Sequence, residues 1–161
     1  MLRMSKMTDY GFVLLAGLAS GGKGATHTAR ELAERTHVPL PSVSKVLKEL
    51  SQAGFLVSHR GVAGGYTLAR APAEISVAEV LGALEGPLAL TECGGHAELG
   101  PMACELEPTC HLRGHMRVIN GVIHDALRRL TLADLLGPVA LTKSRLVSLG
   151  LPSAAGAGAR P

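Results

Sequence analysis

A chain of 161 residues has room for one domain and an interaction arm, and excludes a pair of large catalytic domains. Apolar residues make up 47% of it, enough to bury a core, while aromatics at 2% and no Trp exclude a broad stacking platform for single-stranded nucleic acid. A net charge of +3 permits a polyanionic partner without demanding one, and three Cys, an odd number, argue against a secreted disulfide scaffold and for free thiols or ligands in a reducing cytoplasm.

Met7 to Ser20 reads as a helix, with Thr8 as N-cap and Gly21-Gly22 as its stop. Its apolar run, Phe12 to Ala19, is well short of the ~20 residues a membrane-spanning helix needs, so no membrane role is expected. Asp9, directly before that run, argues against a signal peptide. Thr28 caps a second helix through Arg35, with Glu31 at the capping-box spacing. A third helix runs from Pro41, a favourable first-turn residue, to Ala53, and Gly54 ends it. Val43, Val46, Leu47 and Leu50 form its apolar stripe, while Ser42, Ser44, Lys45, Lys48 and Glu49 lie elsewhere on its surface.

Phe55 to Ser58 and Tyr66 to Ala69 are short β-prone runs around a glycine-rich turn, which predicts a two-stranded hairpin. Ser76 to Gly86 reads as an amphipathic helix with Val77, Val80, Leu81 and Leu84 inward. Leu112 to Leu130 is the longest helical pattern. Leu112, Met116, Ile119, Ile123, Ala126 or Leu127, and Leu130 make a seam that a small protein has little else to cover, so this is read as a dimer helix. Thr131 to Leu136 looks like a short final turn, and from about 150 onward the composition is that of a disordered tail.

The mild net charge conceals a division. Residues 1–86 carry +2, residues 87–112 carry four Glu and no Lys or Arg, and residues 113–161 carry +5. All three Cys lie in the acidic stretch. The expected organisation is a winged helix-turn-helix domain at 1–86, a cysteine-rich loop at 87–111, a dimerisation helix region at 112–137 and a C-terminal extension at 138–161. The fold class is mainly α with a small β-hairpin wing.

Short helices followed by a hairpin fit a DNA-binding unit. The third helix would enter the major groove, which admits one α-helix. His59 and Arg60 sit at the hairpin, where a cation reaches a phosphate or the minor groove. Cys93, Cys104 and Cys110 follow a C-x10-C-x5-C pattern in a loop punctuated by Gly and Pro. Thiolates ligate iron–sulfur clusters and zinc alike, so the residues alone leave a cluster, zinc, and redox-active or incidental thiols all open. No nucleophile–base set stands out. Gly61 to Gly65 lacks the Lys-Ser/Thr of a phosphate loop, so an enzyme is not expected.

Four segments carry a resemblance: Met7-Thr8-Asp9-Tyr10, Val43-Ser44-Lys45-Val46-Leu47-Lys48-Glu49-Leu50, Ala53-Gly54-Phe55-Leu56-Val57, and above all Arg60-Gly61-Val62-Ala63-Gly64-Gly65-Tyr66. From about Met4 to Leu136 the chain resembles the IscR/NsrR-type winged-helix transcriptional regulators, and most of all those of iron–sulfur cluster assembly (SUF/ISC) operons. The resemblance implies a cytoplasmic homodimer on a palindromic double-stranded operator, with Ser42, Ser44 and Lys45 toward the major groove and Arg60 toward the minor groove. It implies an iron–sulfur cluster on Cys93, Cys104 and Cys110, [2Fe-2S] ahead of [4Fe-4S], and repression of cluster-assembly genes. The chain departs from the pattern in two ways. Ten residues rather than five separate the first two Cys, and the position three after the third Cys is Arg113 rather than His. Asp9 and His111 are therefore equal candidates for a fourth ligand, with His115 behind them. The alternatives are a nitric-oxide- or redox-sensing repressor of the same type and, from other classes, a zinc-stabilised DNA-binding module or an iron–sulfur electron carrier.

Overall fold

Helix starts in this chain are set by hydroxyl side chains that accept backbone N–H groups. In the computed structural model, which describes residues 4–22, 24–61, 64–91, 104, 109–139, 144 and 147–148, helix α1 spans Lys6–Ala19. Its N-cap is Ser5, whose Oγ accepts the Thr8 N–H at 3.3 Å. The sequence reading placed the cap at Thr8. Thr8 instead lies one turn inside, fully buried, and its hydroxyl donates to the carboxylate of Glu85. Ser5 takes the cap because its backbone is already extended, while a partner from a distant helix end draws Thr8 inward.

Helix α2 spans Ala29–Thr36 and carries the expected capping box: Thr28 Oγ1 accepts the Glu31 N–H at 3.2 Å and Glu31 returns the bond to the Thr28 N–H at 2.8 Å. It ends at His37 in the left-handed conformation, φ 57°. Helix α3 spans Leu40–Gln52 with Pro41 in its first turn. Its stripe of Val43, Val46, Leu47 and Leu50 is wholly buried against Leu14, Leu15 and Leu32. At ~1.5–3 kcal/mol for each fully buried aliphatic side chain, that stripe is a main source of the domain's stability.

Strands β1 (Leu56–His59) and β2 (Gly65–Leu68) pair antiparallel, from Leu56 opposite Leu68 to His59 opposite Gly65. The segment ahead of α2 adds a third contact that the sequence did not announce. His27 and Tyr66 exchange both backbone hydrogen bonds, at 3.1 and 2.8 Å, so the hairpin is stitched to the helical core. A 3-10 turn at Pro72–Glu74 leads into α4 (Val77–Glu85). Val77, Val80 and Leu81 of α4 are buried as the spacing predicted, and Leu84 is partly so.

Helix α5 (Arg113–Arg129) and the short α6 (Leu132–Leu136) follow. Their junction is pinned to the winged unit. The Val77 N–H donates to Leu130 O and the Leu132 N–H to Ile75 O, both at 2.8 Å, and Leu132 is buried in the main core. Leu130 and the half-buried Leu127 join Val77 and Leu81 in a second apolar cluster. Of the seam read off the sequence, Leu112 and Ile119 are exposed, Met116, Ile123, Ala126 and Leu127 are half-buried, and Leu130 is buried. The face bearing Asn120 and Leu127 is turned toward the domain, and the exposed apolar residues are Leu112, Val118, Ile119 and Val122, at 58, 66, 42 and 52% exposure. Among the described residues no helix is long and apolar enough to cross a membrane. The tail expected to be disordered from about 150 lies outside the described residues.

Glu85 ties the end of α4 to the start of α1. Its carboxylate accepts the Thr8 hydroxyl and the Ser5 backbone N–H, the latter at 2.6 Å. The Thr8 hydroxyl first, then the Ser5 N–H and hydroxyl, hold the Glu85 carboxyl below its ordinary value of 4.5. A carboxyl with a lowered folded-state pKa stabilises the fold above its unfolded value and loses that contribution as pH falls through the folded one. Glu85→Gln is therefore expected to flatten the dependence of the melting temperature on pH below about 4.5, with little change in its slope near neutrality. Thermal melts of both proteins across that range check it. Equal acid slopes would remove Glu85 from the account.

Candidate functional site

Burying the inner stripe of α3 commits its remaining positions to the outside. Ser44, Lys45 and Lys48 are exposed and Ser42 is half-buried, so the outward face is small, polar and cationic. Helix α3 runs almost directly into the hairpin: the Phe55 N–H donates to Leu50 O at 3.0 Å, and β1 begins at Leu56. Along β1 only Leu56 is buried, leaving Val57, Ser58 and His59 exposed. His59 Nε2 lies 3.1 Å from Thr67 Oγ1 across the hairpin. Arg60 follows at once and is exposed. The hairpin tip residues Val62 and Ala63 lie outside the described residues.

Among the described residues Lys45, Lys48 and Arg60 form no ion pair, so their charge is not neutralised internally. A helix face without bulk beside a hairpin bearing His59 and Arg60 has the form that fits a duplex groove with flanking phosphate contacts.

The cysteine-bearing segment begins at the other end of α4. Cys104 and Cys110 are half-buried and in no disulfide. Cys110 stands at the head of α5, its carbonyl accepting the Arg113 N–H at 3.3 Å. His111, beside it, is exposed, and so is His115. Asp9 is exposed in the first turn of α1, the same turn that Glu85 fastens to the end of α4. Cys93, Glu105 and Glu107 lie outside the described residues. Among the described residues, no three His, Cys, Asp or Glu side chains come together as a metal-binding group. Two unbridged, half-buried thiols, one of them at a helix start, are donors that fit a thiophilic metal centre.

One residue of this region escaped the sequence reading. Asn120, on the inward face of α5, is 3% exposed and binds the chain leading to Cys93. Its Oδ1 accepts the Leu90 N–H at 2.6 Å, and its Nδ2 donates to the Met116 carbonyl at 2.8 Å and to Thr91 Oγ1 at 3.4 Å. The available signal was a polar residue inside a stripe of Met116, Ile119 and Ile123.

With this arrangement described, comparison with known proteins is specific. Residues 4–138 match the Rrf2 family, described as an iron-dependent transcriptional regulator. The chain is 31% identical over 135 residues to the HTH-type transcriptional regulator NsrR of Halalkalibacterium halodurans, covering 84% of this chain and 90% of that protein. It is 32% identical over 145 residues to the HTH-type transcriptional repressor NsrR of Streptomyces coelicolor, covering 87 and 95%. Among solved structures it is similar to CymR, the global cysteine regulator of B. subtilis, with TM-score 0.67 and 25% identity over 84% of this chain and 97% of that one. It is also similar to T. potens IscR, with TM-score 0.62 and 27% identity over 84 and 86%.

Proposed function

The chain belongs to the Rrf2 family of transcriptional regulators, and from that membership we propose that it is a cytoplasmic homodimeric repressor of iron–sulfur cluster assembly genes that responds to a cluster of its own. The observation that carries the DNA-binding part is the exposed Ser44, Lys45 and Lys48 face of α3, set against a hairpin that presents His59 and Arg60. Lys45, with Ser42 and Ser44, reads the major groove, Arg60 reaches the minor groove, and Lys48 and His59 contact the backbone. The exposed apolar stripe of α5 supports a second copy, whose recognition helix doubles the phosphate contacts and reads the other half of a palindrome.

Cys93, Cys104 and Cys110 are the cluster ligands in this reading, with Asp9 or His111 completing the set. Cys110 adjoins His111 in sequence, and the α1 turn that bears Asp9 is bonded to Glu85 at the end of α4. When bound, a cluster supplies iron whose ligation changes with oxidation or nitric oxide; [2Fe-2S] is favoured over [4Fe-4S]. The chain's own part is mechanical. The loop residues hold the ligands at the head of α5, α5 carries the partner subunit, and the Ile75–Leu132 and Val77–Leu130 bonds fix α5 to the winged unit. The separation of the two recognition helices is thereby tied to the state of the loop.

Anaerobic reconstitution of the full chain, read by iron and zinc content, visible absorbance and paramagnetic resonance, tests the cofactor. A footprint on the chain's own promoter tests the target. The expected result is a coloured iron-bearing dimer that protects a palindrome, with its spectrum altered by Asp9→Ala or by His111→Ala but not by both. Zinc without visible absorbance overturns the cluster, and a coloured protein with no footprint turns the reading to an electron carrier. A cluster destroyed by nitric oxide at rates far above those with oxygen favours the nitric-oxide-responsive form.

A further inference from the structure

We propose that Asn120 is a positioning residue, a latch that holds the root of the cysteine loop on the dimer helix and transmits the state of that loop to α5. The proposal rests on the cluster-responsive reading above for what the loop senses, but not for the latch itself. Asn120 is the one buried residue of α5 between Arg113 and Arg129. A buried amide is retained only where its donors and acceptor are satisfied, and here both ends are. Oδ1 takes the Leu90 N–H at 2.6 Å, and Nδ2 spans the Met116 carbonyl and Thr91 Oγ1.

The position of the bond gives it consequence. Thr91 stands two residues before Cys93, and Leu88, just upstream, packs in the second apolar cluster near Leu81 and Leu127. At the far end Cys110 runs directly into α5, bonded to the Arg113 N–H. Both ends of the cysteine segment are thus mounted on a single helix, about 10 Å apart along its axis at ~1.5 Å per residue. A pull from the segment between Cys93 and Cys110 acts on Leu90 and Thr91 at one end and on the start of α5 at the other. A directional, multi-point amide resists displacement of Leu90 and Thr91, where an aliphatic contact would let the segment slide. The C-terminal end of α5 is bonded to Ile75 and Val77, so displacement of α5 reaches the base of the winged unit.

The test uses the full chain with Asn120→Ala and, separately, Leu90→Pro, which delete the same hydrogen bond from opposite sides. In metal-free protein, amide exchange at Leu90, whose N–H is the one bonded to Asn120, is expected to quicken about tenfold in Asn120→Ala, with the melt still cooperative in both variants. Unchanged exchange in a folded variant overturns the latch. The second readout is the ratio of operator affinity between reconstituted and metal-free protein. Both variants are expected to keep the metal-free affinity and the cluster absorbance, while the ratio falls toward one. A ratio equal to that of the parent overturns the transmitting role. If the parent itself takes up no cluster, or shows a ratio of one, the cluster-responsive reading fails and transmission fails with it, while the exchange rates still decide the latch.

Discussion

A chain carrying Val118→Glu together with Val122→Glu is expected to behave as a monomer and to bind a palindromic operator at least about a hundredfold more weakly than the parent. The two positions lie one turn apart on α5, at 66 and 52% exposure, flanked by Leu112 and Ile119, which are also exposed. Four large aliphatic side chains facing water at and along one helix are what the proposed dimer interface would cover. Placing four carboxylates in a two-fold interface adds like-charge repulsion and removes apolar burial of about 1.5–3 kcal/mol for each Val lost. The fold itself tolerates the change. Glu is a good helix former, and the inward face of α5, with Asn120, Leu127 and Leu130, is untouched. A monomer retains one recognition helix and one wing, so it keeps weak, salt-sensitive binding and loses the avidity of two half-sites. Sedimentation equilibrium and titration of a labelled operator check both parts. A variant that remains dimeric places the interface elsewhere, and a monomer with parental affinity removes the requirement for two half-sites.

What could be read from the sequence follows the range of the interactions. The Thr28–Glu31 capping box and the Val43-Val46-Leu47-Leu50 stripe are written within one or two helical turns, and both stand in the structure as expected. Thr8 was misassigned because the partner of its hydroxyl, Glu85, is 77 residues away. The pairing of His27 with Tyr66 was invisible for the same reason, since a single bridge leaves no alternation to find. The exposure of Val118 and Val122, outside the seam read from spacing, depends on which face of α5 is turned to α4 and the Leu88–Thr91 segment. Helical spacing alone cannot decide that, because the apolar residues of α5, from Met116 to Leu127, form a face broader than one packing surface needs. Of the candidate site, the outward-facing residues of α3 were legible because the buried stripe defines them by exclusion. Whether Cys93, Cys104 and Cys110 can act together was not legible, because spacing within a Gly- and Pro-rich stretch does not determine geometry.

Gly65→Ala is expected to cost roughly 1–3 kcal/mol of stability and to impair DNA binding at the same time, because it forces apart backbones that only glycine allows to approach. A Cβ built at Gly65 would lie 2.6 Å from the His27 carbonyl oxygen and 2.8 Å from Thr26 Cγ2. The first contact is backbone, so no rotamer relieves it, and β2 must move away from His27. That movement breaks or lengthens the 2.8 Å Tyr66 N–H to His27 O bond and the 3.1 Å return bond, which stitch the hairpin to the core. Gly64 is under the same constraint, with the His59 carbonyl 2.6 Å from its would-be Cβ. The paired glycines of Arg60-Gly61-Val62-Ala63-Gly64-Gly65-Tyr66 therefore serve close packing as well as the turn. For a chain of this size the loss corresponds to a fall of about 2–4 °C in melting temperature for each kcal/mol. Operator binding is expected to weaken as well, since Arg60 is placed by the same hairpin. The combination Thr26→Ser with Gly65→Ala discriminates the cause. Removing the Thr26 methyl leaves the obstructing His27 carbonyl in place, so the double variant is expected to bind DNA no better than Gly65→Ala alone. Recovery in the double variant would mean that side-chain crowding, rather than the backbone approach, is what demands glycine there.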